Sequence, residues 1–390
     1  MDNVQIRKDT AGCEDIIHLN NAGAALMPVS VANAIRGYIT IEEHMGGYEA
    51  ANANREKIDD FYEYAARLLH CNSRNIAFTN SATDSYNRAL SAIPFQKGDV
   101  VLLTENDYPS NFLAFISLKK RFDIELIQVK NSPGGEIDLE DMEAKLKQYQ
   151  PRLLSVSHIP TSSGLIQPLA EIAELIKNQE TIFLLDACQS MGQIELDAVK
   201  SHAHFVSGTF RKFLRGPRGA GILYVSDKAL ESGLEPLFID MRGAEWIDDY
   251  AYVARPDAKR FEDWETAYAL MMGATEAIRY ALEVGIANIE ARNQELISYL
   301  KKELIKLPGI QLQDRGSRQC SIVTFSIENT NEVELKKYLY GNGINISTTP
   351  RAAAIIDFRE KGIDWVARVS PHYYNTEAEI DRLISVLKGI

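Results

Sequence analysis

The sequence predicts an α/β fold in which a large domain with a seven-stranded, mostly parallel sheet precedes a smaller α+β domain. Its 390 residues are 45% hydrophobic and 25% charged, ordinary values for a globular chain long enough to hold two domains. Short β-branched runs alternate with amphipathic helical patterns between residues 75 and 225. This alternation is typical of a parallel sheet covered by helices on both faces. It ends near Glu262, so we expect the second domain to begin there.

Seven apolar runs bounded by turn residues predict the strands of the large domain, and amphipathic patterns predict helices between several of them. The predicted strands are Asn75–Asn80, Asp99–Thr104, Ile124–Val129, Leu153–His158, Thr181–Asp186, Ala203–Gly208 and Gly221–Val225. The predicted helices are Ser110–Lys120, Asp138–Lys147 and Leu169–Lys177.

Two long helical patterns open the predicted small domain, and shorter strands and helices follow. The predicted elements are Thr266–Val284, Ile286–Lys306, Cys320–Ile327, Asn331–Tyr340, Ile344–Thr348, Val366–Ser370 and Thr376–Leu387. The expected domains are therefore 26–262 and 263–390. An N-terminal segment, 1–25, is expected to pack on the active site or the small domain.

Composition disfavours several classes of function. The net charge of −12 argues against nucleic-acid binding. No apolar stretch is long enough to span a membrane, and the N-terminus lacks a signal-peptide core. The four cysteines are scattered, which favours a reduced, cytoplasmic protein. His202 and His204 alternate along a strand without a third ligand nearby, so we predict no metal site.

A lysine and an aspartate mark the ends of two successive predicted strands. Asp186 ends one strand and Lys212 follows the next, at the carboxyl ends where open α/β sheets bind ligands. A lysine there can form a Schiff base with the aldehyde of pyridoxal 5'-phosphate (PLP), and a carboxylate can keep the pyridine nitrogen protonated. The pair predicts a PLP enzyme with Lys212 and Asp186 as catalytic residues. A surface lysine and a helix-capping aspartate are the alternatives.

The turn after the first predicted strand is expected to cradle the cofactor phosphate. Ser81, Ala82 and Thr83 are small residues that open a helical run, and backbone N–H groups at a helix N-terminus bind anions. Simple N-capping is the alternative. Thr209 and Arg211, close to the lysine, can add a hydroxyl and a guanidinium to phosphate binding.

Four further residues complete the predicted site. Tyr108 can stack on the pyridine ring, and Gln189 can donate to the phenolic oxygen of the cofactor. Arg368, in a predicted small-domain strand, can hold a substrate carboxylate in bidentate fashion with help from Asn21. Ordinary turn residues and a structural salt bridge are the alternatives.

Taken together, these stretches resemble the class V aminotransferases, the cysteine desulfurase-like group of fold type I PLP enzymes. The resemblance runs from His18–Gly23 to Arg368, nearly the whole chain, and is most specific in the order Asp186–Gln189, Ser207–Lys212, Gly216–Gly221. It implies the PLP-transferase fold. It also implies contacts with cofactor or substrate at Lys212, Asp186, Gln189, Thr83, Thr209, Tyr108 and Arg368.

Two departures from the desulfurase pattern bear on the chemistry. Desulfurases have a histidine just before the lysine, where this chain has Arg211. They also carry a nucleophilic cysteine on a small-domain loop, whereas the matching Thr349–Ile355 contains none and Cys320 is the last cysteine of the chain. Without a thiolate to accept sulfur, persulfide chemistry is not expected.

Other strings are similar to a branch described as hercynylcysteine sulfoxide lyase-like or isopenicillin N epimerase-like. They are Gly46–Ala50, His158–Thr161, Arg255–Glu262 and Arg368–His372. This branch contains C–S lyases, racemases or epimerases, and tailoring enzymes of secondary metabolism. In the family, the segment matching Arg260–Glu262 reaches the cofactor phosphate of the partner subunit. The resemblance thus implies a homodimer with an active site shared across the interface.

The hypothesis from sequence is a PLP-dependent C–S β-lyase acting on a cysteine-derived amino acid, either an S-conjugate or a sulfoxide. Racemisation or epimerisation is the first alternative and needs a second acid, for which Tyr108 and His158 are candidates. Transamination is the second alternative. A non-catalytic protein with this fold is the third, and loss of Lys212 or Asp186 would mark it.

Overall fold

The computed structural model describes residues 2–390. Fourteen α-helices lie in this range: α1 Asn3–Lys8, α2 Val29–Met45, α3 Gly47–Ala53, α4 Arg55–Leu69, α5 Ala82–Ser91, α6 Pro109–Phe122, α7 Leu139–Tyr149, α8 Leu169–Ile176, α9 Asp227–Glu231, α10 Tyr268–Val284, α11 Ile286–Leu304, α12 Glu332–Gly341, α13 Ile355–Lys361 and α14 Glu377–Leu387. No helix in this range is both long enough and apolar enough to cross a bilayer.

Fifteen strands complete the regular structure of residues 2–390. They are β1 Ile17–His18, β2 Ile76–Thr79, β3 Val100–Thr104, β4 Glu125–Val129, β5 Leu153–Ser157, β6 Ile182–Asp186, β7 Phe205–Thr209, β8 Gly221–Val225, β9 Ala244–Asp248, β10 Ala251–Ala254, β11 Ile310–Leu312, β12 Val323–Ile327, β13 Ile344–Asn345, β14 Ser347–Pro350 and β15 Trp365–Val369.

A seven-stranded sheet organises the larger part of the molecule. Its order is β2-β8-β7-β6-β5-β3-β4, and only β8 runs antiparallel to its neighbours. The strands β2, β5, β6, β7 and β8 are buried at every residue, because helices cover both faces and exclude water from them. The predicted α/β class and its seven mostly parallel strands are confirmed.

Two apolar cores lie on the opposite faces of this sheet. One joins side chains of α4 and α10, such as Phe61 and Ile278, to sheet residues such as Phe183. The other joins Phe115 of α6 and Phe261 to sheet residues such as Leu184. Neighbouring residues of β6 therefore contribute to different cores, as the alternation of side chains along a strand requires.

The smaller part of the molecule is built on a four-stranded antiparallel sheet of order β11-β12-β15-β14. Its core joins this sheet to α11, α12 and α14. The N-terminal strand β1 pairs in parallel with β13, so the start of the chain is attached to this part of the molecule. The division at residue 263 stays a prediction. Helix α10, just beyond it, packs on α2 and α4.

Element boundaries agree with the predicted ones to within about two residues for the seven main strands. The predicted strand Ile344–Thr348 is instead split, because β13 pairs with β1 while β14 pairs with β15. Helices α2, α3 and α4 and the β9–β10 hairpin were not predicted. The signal for α4 was present, since Ile58, Phe61, Ala65 and Leu69 recur at helical spacing and are buried.

The carboxyl ends of β2, β3, β5, β6 and β7 meet at one edge of the sheet, because these strands are mutually parallel. The antiparallel strand β8 begins at this edge. A Cβ on Gly221, its first residue, would lie 2.4 Å from the backbone carbon of Ser81. Only glycine lets the turn after β2 pack this closely on β8.

We expect Gly221→Ala to lower the free energy of unfolding by about 1–3 kcal/mol, because the new methyl group must displace backbone atoms of Ser81. Gly37→Ala is the matched control. Gly37 is exposed in α2, nothing lies within 4 Å of its virtual Cβ, and the change should stabilise by about 0.5–1 kcal/mol. Urea denaturation measures both. Equal effects of the two substitutions would contradict this account of the turn.

Candidate active site

A cavity opens at the edge of the sheet where the parallel strands end. Its walls come from the turns after β2, β3, β5, β6 and β7 and from the first turns of α5 and α6. The lining residues are Ser81, Ala82, Thr83, Tyr86, Tyr108, Asn111, Ser157, Ile159, Thr161, Asp186, Cys188, Gln189, Thr209, Arg211 and Lys212. Every residue that the sequence assigned to cofactor binding lies in this set.

Asp186 is the last residue of β6 and is 7% exposed. Asn111 Nδ2 donates to its Oδ2 at 3.1 Å, and the backbone N–H of Cys188 donates to its Oδ1 at 2.9 Å. Its carboxylate is thus oriented by two donors and forms no ion pair with a described residue. A carboxylate held in this way can accept a hydrogen bond from a protonated ring nitrogen.

Lys212 lies in the turn after β7 and is 6% exposed. Burial lowers the pKa of its ammonium group, and the positive charges of Arg211 and Arg368 lower it further, while Asp186 opposes the shift. No described carboxylate pairs with it. A lysine in this state more readily holds a free electron pair, so it can act as a nucleophile or accept a proton.

The turn after β2 has the features of an anion site. Ser81 is the N-cap of α5, and its hydroxyl accepts a hydrogen bond from the N–H of Asp84 at 3.1 Å. The N–H groups of Ala82 and Thr83 precede the first intrahelical bonds and have no acceptor among the described residues. Capping by Ser81 and an anion-binding N-terminus therefore coexist here.

Thr161 joins two predicted residues into one cluster. Its hydroxyl accepts from Arg368 Nη1 at 2.8 Å and from Gln189 Nε2 at 3.1 Å. The amide oxygen of Gln189 and the Nε of Arg368 are buried without a partner, which is unusual for buried polar atoms. Burial and the neighbouring Arg211 lower the pKa of Arg368 to about 10. The cluster can therefore receive a polar or anionic ligand.

The structure does not bring Asn21 into this cavity. Its side chain is buried, where its Nδ2 donates to Ser370 O at 2.8 Å and its Oδ1 accepts from the Tyr374 hydroxyl at 2.5 Å. These bonds join the N-terminal segment to the end of β15. Asn20 lies nearer the site instead, and its Oδ1 is 3.4 Å from Arg368 Nη2. Sequence reasoning assigned the neighbouring asparagine.

Tyr108 and Arg211 lie at the mouth of the cavity. Tyr108 is the N-cap of α6 and remains 37% exposed. Arg211 is half-buried, and its Nη1 donates to the carbonyl of Gly23, in the N-terminal segment. The positive charge of Arg211 lowers the pKa of both Arg368 and Lys212, so its guanidinium lies near both side chains.

The resemblance implies that the segment Arg260–Glu262 reaches the cofactor phosphate of the partner subunit, and this stays a prediction. Arg260 donates to the carbonyls of Arg255, Leu230 and Leu234. Phe261 lies in a core of the large sheet, and Glu262 is buried against the hydroxyl of Tyr62 at 2.9 Å. The side chains of this segment are held within their own chain.

Sequence reasoning missed several residues of the cavity. Asn111, in the first turn of α6, lines the cavity and was not assigned a role. Asp107 lies outside the lining but is hydrogen-bonded to Asn111, and it was not assigned a role either, although a buried acid after a strand end was the signal that identified Asp186. Thr161 and Cys188 also lacked an assignment. Residues 2–390 contain no group of three or more His, Cys, Asp or Glu side chains that could hold a metal.

The sequence is similar to known proteins along almost its whole length. A family model described as aminotransferase class-V matches residues 17–383. A relative named probable cysteine desulfurase, from Pyrococcus abyssi, is 25% identical over 99% of this chain and 96% of its own.

Solved structures share the fold. The apo cysteine desulfurase of Thermococcus onnurineus has a TM-score of 0.91 at 24% identity, covering 99% of this chain and 97% of its own. The cystine C-S lyase C-DES with its product cysteine persulfide has a TM-score of 0.87 at 20% identity, covering 97% and 99%. A C-DES variant with glycine covalently linked to PLP has a TM-score of 0.88 at 21% identity, covering 98% of each chain.

We expect Cys188 to react with iodoacetamide at least tenfold more slowly in the native protein at pH 8 than in the unfolded protein. Burial raises the pKa of its thiol well above the ordinary value, and the charge of Asp186 raises it further, so the reactive thiolate is scarce. Mass spectrometry of the labelled peptides measures each cysteine separately. Native labelling as fast as that of unfolded Cys188 would contradict this.

Proposed function

The chain belongs to the class-V aminotransferase family and is a PLP-dependent enzyme; on this basis we propose that it is a C–S β-lyase acting on a cysteine-derived amino acid. One observation carries the proposal. Lys212 and Asp186 line one desolvated cavity, while the only cysteine in that cavity, Cys188, has a thiol that resists ionisation.

The residues of the cavity fit the cofactor. The free N–H groups of Ala82 and Thr83, with the nearby hydroxyl of Thr209, would hold its phosphate. Asp186 would accept a hydrogen bond from the protonated ring nitrogen, and the unpartnered amide oxygen of Gln189 would face the polar edge of the ring. When bound, PLP supplies an aldehyde for amine exchange and a ring that accepts electrons from the substrate Cα.

Lys212 is proposed to hold the cofactor and then to move the proton of the substrate Cα. A lowered pKa suits both tasks, because each requires an uncharged amine. Asp186 would pair with the ring nitrogen of the bound cofactor and favour its protonated form, which withdraws electrons. Tyr108, at the mouth of the cavity, is proposed to cover one face of the ring.

Arg368 is proposed to bind the substrate carboxylate. It is buried, its Nε lacks a partner, and Thr161 fixes its Nη1 at 2.8 Å. An arginine held in this way can pair with a carboxylate in bidentate fashion. Asn20, within 3.4 Å of Arg368, is proposed to take the supporting role that the sequence suggested for Asn21.

The fate of sulfur separates a lyase from a persulfide-forming desulfurase. A persulfide on the enzyme needs a thiolate that attacks the substrate sulfur. The segment 349–355 has no cysteine, and Cys188 is half-buried, with the carboxylate of Asp186 helping to raise the pKa of its thiol. We therefore propose that the C–S bond breaks with its electron pair leaving on sulfur, which takes up a proton and departs as a thiol or sulfenic acid. The remaining three-carbon unit adds water and gives pyruvate and ammonia.

The resemblance to hercynylcysteine sulfoxide lyase-like and isopenicillin N epimerase-like enzymes guides the choice of substrates, which are S-conjugates and sulfoxides of cysteine. Epimerisation would need a second acid facing the substrate. His158 does not fit this role, because it is buried against Ser190 and burial lowers its pKa to about 4. Tyr108 remains the one candidate from the sequence.

We also propose that the enzyme is a homodimer. The β9–β10 hairpin and the loop before it expose large apolar side chains, with Phe238 85% and Trp246 79% exposed and Tyr250 fully exposed. Exposed aromatic residues are enriched at protein interfaces. The hairpin base is anchored by Arg242, which pairs with the buried Glu262 at 3.2 Å.

Lys212→Ala should reduce release of pyruvate from cysteine S-conjugates by about 1000-fold, the scale of a lost general base, and should abolish the visible absorbance of the bound cofactor. Lys200→Ala is the control, since that lysine is solvent-exposed and pairs only with Asp197. Pyruvate is assayed with a coupled dehydrogenase. Turnover at the wild-type rate in the Lys212 variant would refute the assignment. If the wild-type enzyme instead incorporates solvent deuterium at the substrate Cα without releasing pyruvate, epimerisation would be favoured.

Trp246→Glu should convert the dimer into a monomer, because a buried charge at an apolar contact is costly. Light scattering after size-exclusion chromatography measures the mass, which should fall from twice 43.7 kDa to that value. Val333→Glu, at an equally exposed apolar residue of α12, is the control and should leave the dimer intact. A wild-type protein that is monomeric at all concentrations would contradict the proposal.

A further inference from the structure

A second buried acid lies next to Asp186. Asp107 follows β3 in the same turn as Tyr108 and is 6% exposed. The Nδ2 of Asn111 donates both to Asp186 Oδ2 at 3.1 Å and to Asp107 Oδ1 at 3.4 Å. One amide therefore bridges two carboxylates that belong to neighbouring turns of the active-site edge.

Hydroxyl groups of β5 hold the far side of Asp107. Ser157 Oγ donates to its Oδ1 at 2.6 Å and Ser155 Oγ to its Oδ2 at 3.3 Å. These serines are two residues apart, so they face the same side of the strand. The hydroxyl of Tyr86, from α5, continues the chain at 2.6 Å from Ser155 Oγ. The network runs from Tyr86 to Asp186 and consists of polar groups that are buried or nearly so.

This network contains acids without a compensating cation. Neither Asp107 nor Asp186 forms an ion pair with a described residue. The groups that face Asp107 are the phenol of Tyr86 and the carboxylate of Asp186, together with the uncharged Ser155, Ser157 and Asn111. Burial and, to a smaller extent, the charge of Asp186 raise the pKa of Asp107 to about 6, against the opposing hydrogen bonds from Ser157, Asn111 and Ser155. Two acids would not share a dry pocket for packing alone.

We propose that Asp107 is a positioning residue for the cofactor: it orients Asn111, which fixes Asp186 below the ring nitrogen, and its own negative charge helps to keep that nitrogen protonated. The inference rests on the proposed function, because it assumes PLP above Asp186. A cationic pyridinium would supply the paired positive charge that neither acid receives from an ion pair within the described residues. Asp107 itself would not touch the cofactor, and it acts through Asn111 and through its field.

The direction of the pH effect follows from the ionisation of Asp107. Above about pH 6, the wild-type residue is largely charged and stabilises the proton on the ring nitrogen. Below that pH the carboxyl group is neutral, and it no longer stabilises the proton on the ring nitrogen. Asp107→Asn is neutral at every pH. The variant should therefore differ from the wild type above pH 6 and resemble it below.

The test uses the holoenzyme reconstituted with PLP that is ¹⁵N-labelled in the ring, with the nitrogen chemical shift followed between pH 5 and 9. In Asp107→Asn the ring nitrogen should lose its proton at a pH lower by on the order of one unit, the effect of one nearby charge. Asp138→Asn is the matched control. Asp138 caps α7, away from the cavity, and asparagine caps a helix equally well, so its titration should match the wild type.

Ser157→Ala provides a second variant in case Asp107→Asn does not fold, as judged by circular dichroism. Loss of the 2.6 Å hydrogen bond should leave Asp107 protonated to higher pH, so the ring nitrogen should again lose its proton earlier. A folded variant that titrates like the wild type would overturn the role of Asp107. Failure of the wild type to take up PLP would instead overturn the proposed function, and the two results are distinct.

Discussion

The burial of Lys212 without an anionic partner is the constraint on which the rest of the site depends. Lys212 is only 6% exposed, so its ammonium form loses most of its hydration, which costs free energy. The two neighbouring guanidinium groups increase that free-energy cost. The cost appears as the lowered pKa of the amine, and hydrogen bonds hold the turn after β7 that carries it. Gly216 N–H donates to Phe210 O at 2.8 Å across this turn, and His372 reaches Phe213 O at 2.8 Å from the small sheet's side.

The sheet determines which side chains can meet the lysine. Six parallel strands end at one edge, and the turns after five of them contribute polar groups to the cavity. The single antiparallel strand, β8, brings a glycine to that edge, where the cradle of Ser81 needs room. The same edge therefore combines an anion site, a carboxylate and an amine with a lowered pKa. That combination suits a cofactor with a phosphate, a basic ring nitrogen and an aldehyde.

Sequence reasoning succeeded where local patterns determine structure. Continuous apolar runs located the strands to within about two residues, and strand ends located Asp186 and Lys212, because the parallel topology fixes where such ends lie. Tertiary contacts decide the rest. Nothing local indicates that Asn20 lies beside Arg368, whereas hydrogen bonds with Ser370 and Tyr374 hold the side chain of Asn21 outside the cavity. The bridge from Asp107 to Asp186 likewise depends on Asn111, in the first turn of α6.

The central claim is that the amine of residue 212 carries the cofactor, and peptide mapping tests it most directly. Protein incubated with PLP is reduced with borohydride, digested and analysed by mass spectrometry for phosphopyridoxyl groups. The account predicts one modification, on Lys212, at one group per chain. Modification spread over exposed lysines such as Lys97 and Lys200, with Lys212 unmodified, would contradict it.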